Sequence, residues 1–176
     1  MKNIFLTGEI GVGKSTAINK IISFFPELIF GGFRTISSAP ITDGAYLDVF
    51  IESAWEPTPH DSAHIVGTRW GNNIFTAYPA VFDNVGTSIL ISPPAKAKLV
   101  IMDELGVMES DAELFKSAVL KALNGTLPVL GVIKPKRTDF LDSVRFHENS
   151  LVFEVTEQNR EELLLSIVEL IKREIK

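Results

Sequence analysis

Ile4-Phe5-Leu6-Thr7-Gly8-Glu9-Ile10-Gly11-Val12-Gly13-Lys14-Ser15-Thr16 is the stretch on which the reading of this chain turns. Its first three residues are an apolar run that gives way to Thr7-Gly8, the pattern of a short buried strand. From Ser15 onward, Ile18, Ile21 and Ile22 recur on one helical face until Pro26 ends the pattern. Between strand and helix lies Gly-x-x-x-x-Gly-Lys-Ser. The glycines admit backbone conformations forbidden to other residues, so successive N–H groups can turn inward around an anion. The helix behind them adds its N-terminal amides and the positive end of its dipole. Gly8, Glu9, Ile10, Gly11, Val12, Gly13, Lys14, Ser15 and Thr16 are therefore expected to cradle a triphosphate. Lys14 would bridge the β- and γ-phosphates, the Ser15 hydroxyl would bind Mg²⁺, and the Thr16 amide would serve the α-phosphate side. The competing reading is a glycine-rich turn with a solvated lysine, and the flanking strand and helix disfavour it. A loop this early in the chain also predicts a central place in the sheet for the first strand.

A second apolar run, Leu99-Val100-Ile101-Met102, delivers Asp103 and Glu104 at its carboxyl end, where open α/β sheets bind ligands. Asp103 is expected to act as the acid on the metal side of the site. Glu104 is expected to lie nearer the γ-phosphate and to deprotonate an attacking water. An ion pair with a neighbouring Lys or Arg would explain Glu104 equally well. Arg34, Arg69, Arg137 and Arg145 are candidates for neutralising charge on the γ-phosphoryl group. Arg137, in Lys134-Pro135-Lys136-Arg137 after a predicted strand, has the best location and is taken as the catalytic arginine. Lys134 is a candidate γ-phosphate sensor.

The remaining pattern is α/β. Extended segments are predicted at Leu28–Ile36, Ala45–Ile51, Ala63–Thr68, Pro128–Ile133 and Leu151–Val155. Ala45–Ile51 and Ala63–Thr68 would pair as a hairpin, with Glu56–Asp61 (Pro57 and Pro59 within it) as the connecting turn. Helices are predicted over Asp83–Ser92, stopped by Pro93-Pro94, and after Asp111 as N-cap, with Phe115, Ala118, Val119, Ala122 and Leu123 on one face. A last helix, capped by Thr156, would carry Leu164, Ile167, Val168, Ile171 and Ile175. Strands alternating with amphipathic helices imply one domain over residues 1–176 with a mostly parallel sheet covered on both faces. Antiparallel strands from the 31–71 region would be added at one edge.

The 176 residues are 45% hydrophobic and 22% charged, the balance of a folded globular protein, and carry a net charge of −5. That acidity disfavours non-specific nucleic-acid binding. With no cysteine, disulfides and thiol catalysis are excluded. No apolar run approaches the length of a membrane span and no secretory signal is evident, so a cytoplasmic location is expected. His60 and His64 stand four apart in an extended, Pro-flanked stretch and do not make a zinc pair. Trp55 and Trp70 could be core or mark a contact surface.

The loop Gly8–Thr16, the Gly32-Phe33-Arg34-Thr35 segment and Asp103-Glu104-Leu105-Gly106-Val107-Met108-Glu109 together resemble the cancer-related or thermophile-type nucleoside-triphosphatases. The last stretch is similar to that family's Asp-Glu-Ile-Gly-x-Met-Glu string, with Leu105 for its isoleucine and Val107 where a lysine is common. The resemblance spans essentially the whole chain except residues 42–73, which fit poorly. It implies a three-layer, RecA-like P-loop fold and slow, Mg²⁺-dependent hydrolysis of nucleoside triphosphates such as ATP and GTP, with broad base tolerance. The alternatives are a nucleotide or small-molecule kinase built on the same loop, and a nucleotide-dependent switch. The chain lacks the arginine-rich lid expected of such a kinase, and Glu104 favours hydrolysis over switching. The preferred base, the physiological substrate and the oligomeric state are not readable from the residues.

Overall fold

Ile4 and Leu6 face one way and Phe5 the other, and this alternation decides how the molecule is layered. The structure, a computed structural model, describes residues 2–39, 46–56, 58–70 and 74–175. Ala45, Pro57 and the parts of the 42–73 stretch at 42–45 and 71–73 lie outside them. Strand β1 (Asn3–Thr7) leads through the glycine loop into helix α1 (Lys14–Ser23). β2 (Ile29–Ser37), β3 (Tyr46–Ser53), β4 (Ile65–Trp70) and β5 (Ile74–Ala77) follow, with a 3₁₀ turn at Ser62–His64. A continuous helical run comprises α2 (Pro79–Val81), a π-helical turn (Phe82–Gly86) and α3 (Thr87–Ile91). Then come β6 (Ala97–Leu105), α4 (Glu113–Leu123), β7 (Val129–Ile133), α5 (Asp139–Arg145), β8 (Ser150–Glu154) and α6 (Arg160–Glu174).

The described strands form one eight-stranded sheet in the order β5-β4-β3-β2-β6-β7-β1-β8. From β2 to β8 neighbours are parallel; β3, β4 and β5 are an antiparallel extension. Ile4, Leu6, Leu99, Ile101, Leu130 and Val132 pack on one face with Ile18 and Ile21 of α1 and Ile167, Val168 and Ile171 of α6. Phe5, Val100, Met102, Val129 and Ile133 pack on the other with Phe82, Phe115, Val119 and Leu141. Each such side chain, fully buried, contributes about 1.5–3 kcal/mol. Phe115 is the hub of the second layer, with its ring edge-on to Phe33 at 5.2 Å and tilted against Phe82 at 5.1 Å. The three-layer, mostly parallel architecture and the antiparallel edge expected from the sequence are both present. Tyr46–Phe50 and Ile65–Trp70 pair antiparallel, as the hairpin reading requires.

Several local expectations are corrected. β1 is interior but not central, since only β8 lies outside it; the antiparallel strands join the far edge and move the middle of the sheet towards β2 and β6. Asp111 does not cap α4, which has no side-chain cap from its own N-cap residue. Asp83, from the π-helical turn, instead accepts the Phe115 N–H at 3.0 Å. Thr156 does not cap α6 directly; it exchanges hydrogen bonds with Asn159, the residue before that helix. The helical run begins at Pro79 rather than Asp83, because proline suits a first helical turn. Helix α5 was not anticipated, although Thr138 caps it by accepting the Leu141 N–H at 3.1 Å. No helix of the described residues is long and apolar enough to cross a membrane.

Gly32 is the tightest backbone crossing in the sheet. Its φ is +93°, and a Cβ there would run into the Ile101 carbonyl and amide of β6. Gly32→Ala is expected to lower stability by at least about 3 kcal/mol in urea unfolding, by separating β2 from β6. A loss below about 1 kcal/mol would show that the strands can yield at this point.

Candidate active site

The carboxyl ends of β1, β2, β6 and β7 open on one edge of the sheet, and each delivers a group there. β1 delivers the loop. Gly8, Gly11 and Gly13 have φ of 136°, 83° and 97°, and Gly13, in the left-handed region, stands as N-cap of α1. That helix has no side-chain cap, so its first amides remain directed into the loop, as an anion site needs. Lys14 is buried and folds back, donating to the Gly8 carbonyl at 2.9 Å and the Glu9 carbonyl at 2.6 Å. Burial lowers its pKa, with Lys134 acting in the same direction and Glu104 and Asp103 opposing.

β6 carries both acids within the strand rather than beyond its end. The peptide between Asp103 and Glu104 is cis. Asp103 is buried, and its Oδ1 accepts from the Ser15 hydroxyl at 3.0 Å. Burial raises the Asp103 pKa, Ser15 counters it, and the Glu104 charge raises it further. β2 ties in through Thr35, whose hydroxyl donates to the Asp103 carbonyl at 3.4 Å and accepts the Glu104 N–H at 3.3 Å. These side-chain bonds begin where backbone pairing between β2 and β6 stops at Arg34 and Asp103. From the end of β7, Lys134 places its Nζ 2.8 Å from Glu104 Oε1. The ion-pair reading of Glu104 is therefore present in the geometry, alongside its place beside the loop.

Two adjoining cavities meet at these groups. One lies over the loop and is lined by Gly8, Gly11, Gly13, Lys14 and Thr16 on one side and by Lys134, Pro135 and Lys136 on the other. The second, of about 140 Å³, extends from Ser15 and Asp103 to Thr35, Met108 and Glu109. The expected loop and acids are thus brought together. Arg137 is not: its Nε lies 2.8 Å from Asp142 Oδ1, its guanidinium sits over the Phe146 ring, and it lines neither cavity. The cause is α5, unforeseen in the sequence, whose Asp142 draws the side chain away from the loop. Arg145 pairs with the same carboxylate and donates to the Lys134 and Lys136 carbonyls at 3.0 and 3.1 Å, which pins the turn after β7. Arg34 donates to Asn19 at 2.8 Å. His60 and His64 bond Glu52 and Asp61.

Ser15 and Asp103 fit a divalent cation. Hydroxyl and carboxylate oxygens are the donors Mg²⁺ takes, and a carboxylate whose ionised form is disfavoured by burial is one that a cation would satisfy. Glu109 ends the Asp103–Glu109 stretch, and no local pattern in the sequence marks a role for it. It is fully buried in the second cavity's wall, with its carboxylate on the Gly106 N–H.

A glycine loop between a parallel strand and a helix, facing a strand-borne acid pair, defines a P-loop protein of the α/β class. The family model described as NTPase matches residues 67–168, and the chain belongs to that family. It is 28% identical over 177 residues to the nucleoside-triphosphatase THEP1 of Thermotoga maritima, covering 96% of this chain and 95% of that one. To the cancer-related nucleoside-triphosphatase of Homo sapiens it is 28% identical over 187 residues, covering 95% of each. The crystal structure of THEP1 from the hyperthermophile Aquifex aeolicus matches with a TM-score of 0.73 at 22% identity, over 97% of this chain and 99% of that one. The solution structure of a human cancer-related nucleoside triphosphatase matches with a TM-score of 0.64 at 25% identity, over both full chains.

Burial pushes the Glu109 carboxyl up to about 7 from an ordinary 4.5, against the Gly106 amide and the Lys134 charge. The unfolded chain releases this proton from about pH 4.5 upward while the folded chain holds it to about 7, so stability declines across that interval and is flat beyond it. Glu109→Gln keeps an oxygen for Gly106. It is expected to match wild type near pH 4.5 and to be more stable by on the order of 1–3 kcal/mol at pH 8 in urea unfolding. A difference independent of pH would rule out a buried, late-titrating carboxyl.

Proposed function

We propose that this chain hydrolyses nucleoside triphosphates such as ATP and GTP to nucleoside diphosphate and phosphate, with Mg²⁺ as cofactor and little discrimination among bases. The observation that carries the reading is the meeting of Ser15, Glu104 and Lys134 where the loop cavity joins the second one. Membership of the NTPase family supports it, as do the names of the relatives, each a nucleoside-triphosphatase.

In this mechanism the inward amides of Gly8 to Thr16 bind the phosphate chain, and Lys14, held by the Gly8 and Glu9 carbonyls, lies between the β- and γ-phosphates. Ser15 and Asp103 would hold Mg²⁺, which would supply neutralisation of the triphosphate charge. A γ-phosphate reaching Lys134 competes with Glu104 for the ammonium, leaving the carboxylate free to accept a hydrogen bond from water. The water oxygen bonds to the γ-phosphorus as the bond to the bridging oxygen breaks. Glu104 takes the water proton, and the bridging oxygen leaves on the diphosphate with the electron pair. Base tolerance is supported by the cavity's outer wall, where Ile10, Pro135 and Lys136 offer apolar contact and charge rather than a matched donor and acceptor for one base edge.

One observation favours the kinase alternative: the 140 Å³ cavity beside Glu104 has room for a small hydroxyl-bearing acceptor. Phosphate release from ATP and GTP with Mg²⁺, measured with and without nucleosides and nucleoside monophosphates, separates the two. Release without acceptor is expected; loss of triphosphate only when an acceptor is present would establish the kinase. Lys14→Ala is expected to abolish tight triphosphate binding in calorimetry. Glu104→Gln is expected to keep binding and slow turnover by about a hundredfold or more, and unchanged turnover would remove Glu104 from the mechanism.

A further inference from the structure

Four residues line both cavities: Ser15, Arg69, Glu104 and Lys134. If the first cavity holds the triphosphate and the second the water, the γ-phosphorus lies where they join, among these four side chains. Three of them have roles in the reading above. Arg69 has none, and it reaches this position from β4, a strand of the antiparallel extension outside the parallel sheet. It is half-buried, its backbone pairs with β3 and β5, and among the described residues its side chain makes no hydrogen bond or ion pair. Of the other arginines weighed for this role, Arg137 and Arg145 are held by Asp142, and Arg34, which bonds Asn19 and whose charge acts on Asp103, lines neither cavity.

We infer that Arg69 is a catalytic residue that lays its guanidinium on the γ-phosphoryl oxygens during transfer to water, supplied in cis by the β3–β5 extension. This rests on the hydrolase reading. As the bond to the bridging oxygen breaks, charge spreads over the γ-phosphoryl oxygens and the leaving oxygen, and a planar fork of N–H donors matches that distribution better than an ammonium does. Because Lys14 and the loop amides already hold the ground-state triphosphate, the contribution of Arg69 falls mainly on the transition state.

The test uses the full chain with Mg²⁺ and compares wild type, Arg69→Gln and Arg69→Lys in three measurements. These are affinity for a non-hydrolysable triphosphate, retention of ADP with aluminium fluoride (a mimic of the transferring phosphoryl group), and phosphate release. Arg69→Gln is expected to bind the triphosphate within about threefold of wild type, to lose fluoroaluminate-dependent ADP retention by at least about thirtyfold, and to turn over at least about a hundredfold more slowly. Arg69→Lys keeps the charge without the fork and is expected to recover only part of that retention; it also serves as the readout should the glutamine variant fail to fold. Retention equal to wild type in either variant overturns the proposal, as does an equal loss of triphosphate affinity and ADP retention. A wild-type chain that binds triphosphate yet neither releases phosphate nor retains ADP with fluoroaluminate refutes the hydrolase reading itself. That outcome differs from an active wild type beside an equally active Arg69→Gln.

Discussion

The hydrogen bond from Ser15 to Asp103 ties the helix that follows β1 to β6, a strand separated from β1 by β7. It can form only if all three strands run parallel and end at the same level, so that the helix after β1 starts opposite the acid of β6. The flanking cores enforce this. Leu6, Ile101 and Val132 lock one face against α1 and α6, while Phe5, Met102 and Ile133 lock the other. A slip of one residue in β6 would exchange its two faces and carry both carboxylates away from the loop. The register of the sheet is therefore also the register of the site.

The antiparallel extension does work that the parallel sheet cannot. A parallel α/β sheet presents its strand ends as an open crevice. Here β3 and β4 continue the sheet past β2, and Val49, Val66 and Arg69 form a wall of the second cavity opposite Asp103 and Glu104. Glu109 and Met108, on the segment after β6, form its floor. The close approach of that floor to the extension leaves no space for a side chain at Gly67, where a Cβ would meet the Met108 methyl. Packing at Gly67 thus sets Arg69, two residues later, in the wall that the two cavities share.

How much of this was legible in the sequence follows from the range of the interactions. The glycine loop and the acid pair are local patterns, because their chemistry needs particular residues at fixed spacing beside a strand, and spacing survives in sequence. The layering was legible from period-2 and helical alternation in Ile4-Phe5-Leu6, in Leu99 to Met102, and in α1 and α6. What failed was decided by long-range partners. The N-terminus of α4 is capped by Asp83 from another helix, so the nearby Asp111 was misleading. Arg137 stood well placed along the chain, but a short helix unmarked by any strong apolar period supplied Asp142 as a competing carboxylate. Arg69 is one of four candidate arginines in the sequence, but its neighbours describe only an edge hairpin and nothing ranks it above the others; what brings it to the loop is the sheet order.

Charge balance explains why these groups tolerate one another. Lys14, Lys134, Lys136 and Arg69 stand with Asp103, Glu104 and Glu109 around the joined cavities. The four cations outnumber the three carboxyl groups, and burial, which pushes the Glu109 carboxyl up to about 7, weakens the negative side further. The Lys134–Glu104 pair, at 2.8 Å and partly exposed, spares each group the cost of standing unpaired while leaving it accessible to water and ligand. A cluster of this kind is stable enough to fold yet retains a positive bias towards a polyanion. An ionised Glu109 would reduce that bias without removing it, and the Gly106 amide and Lys134 that ease its ionisation belong to the same wall as Glu104.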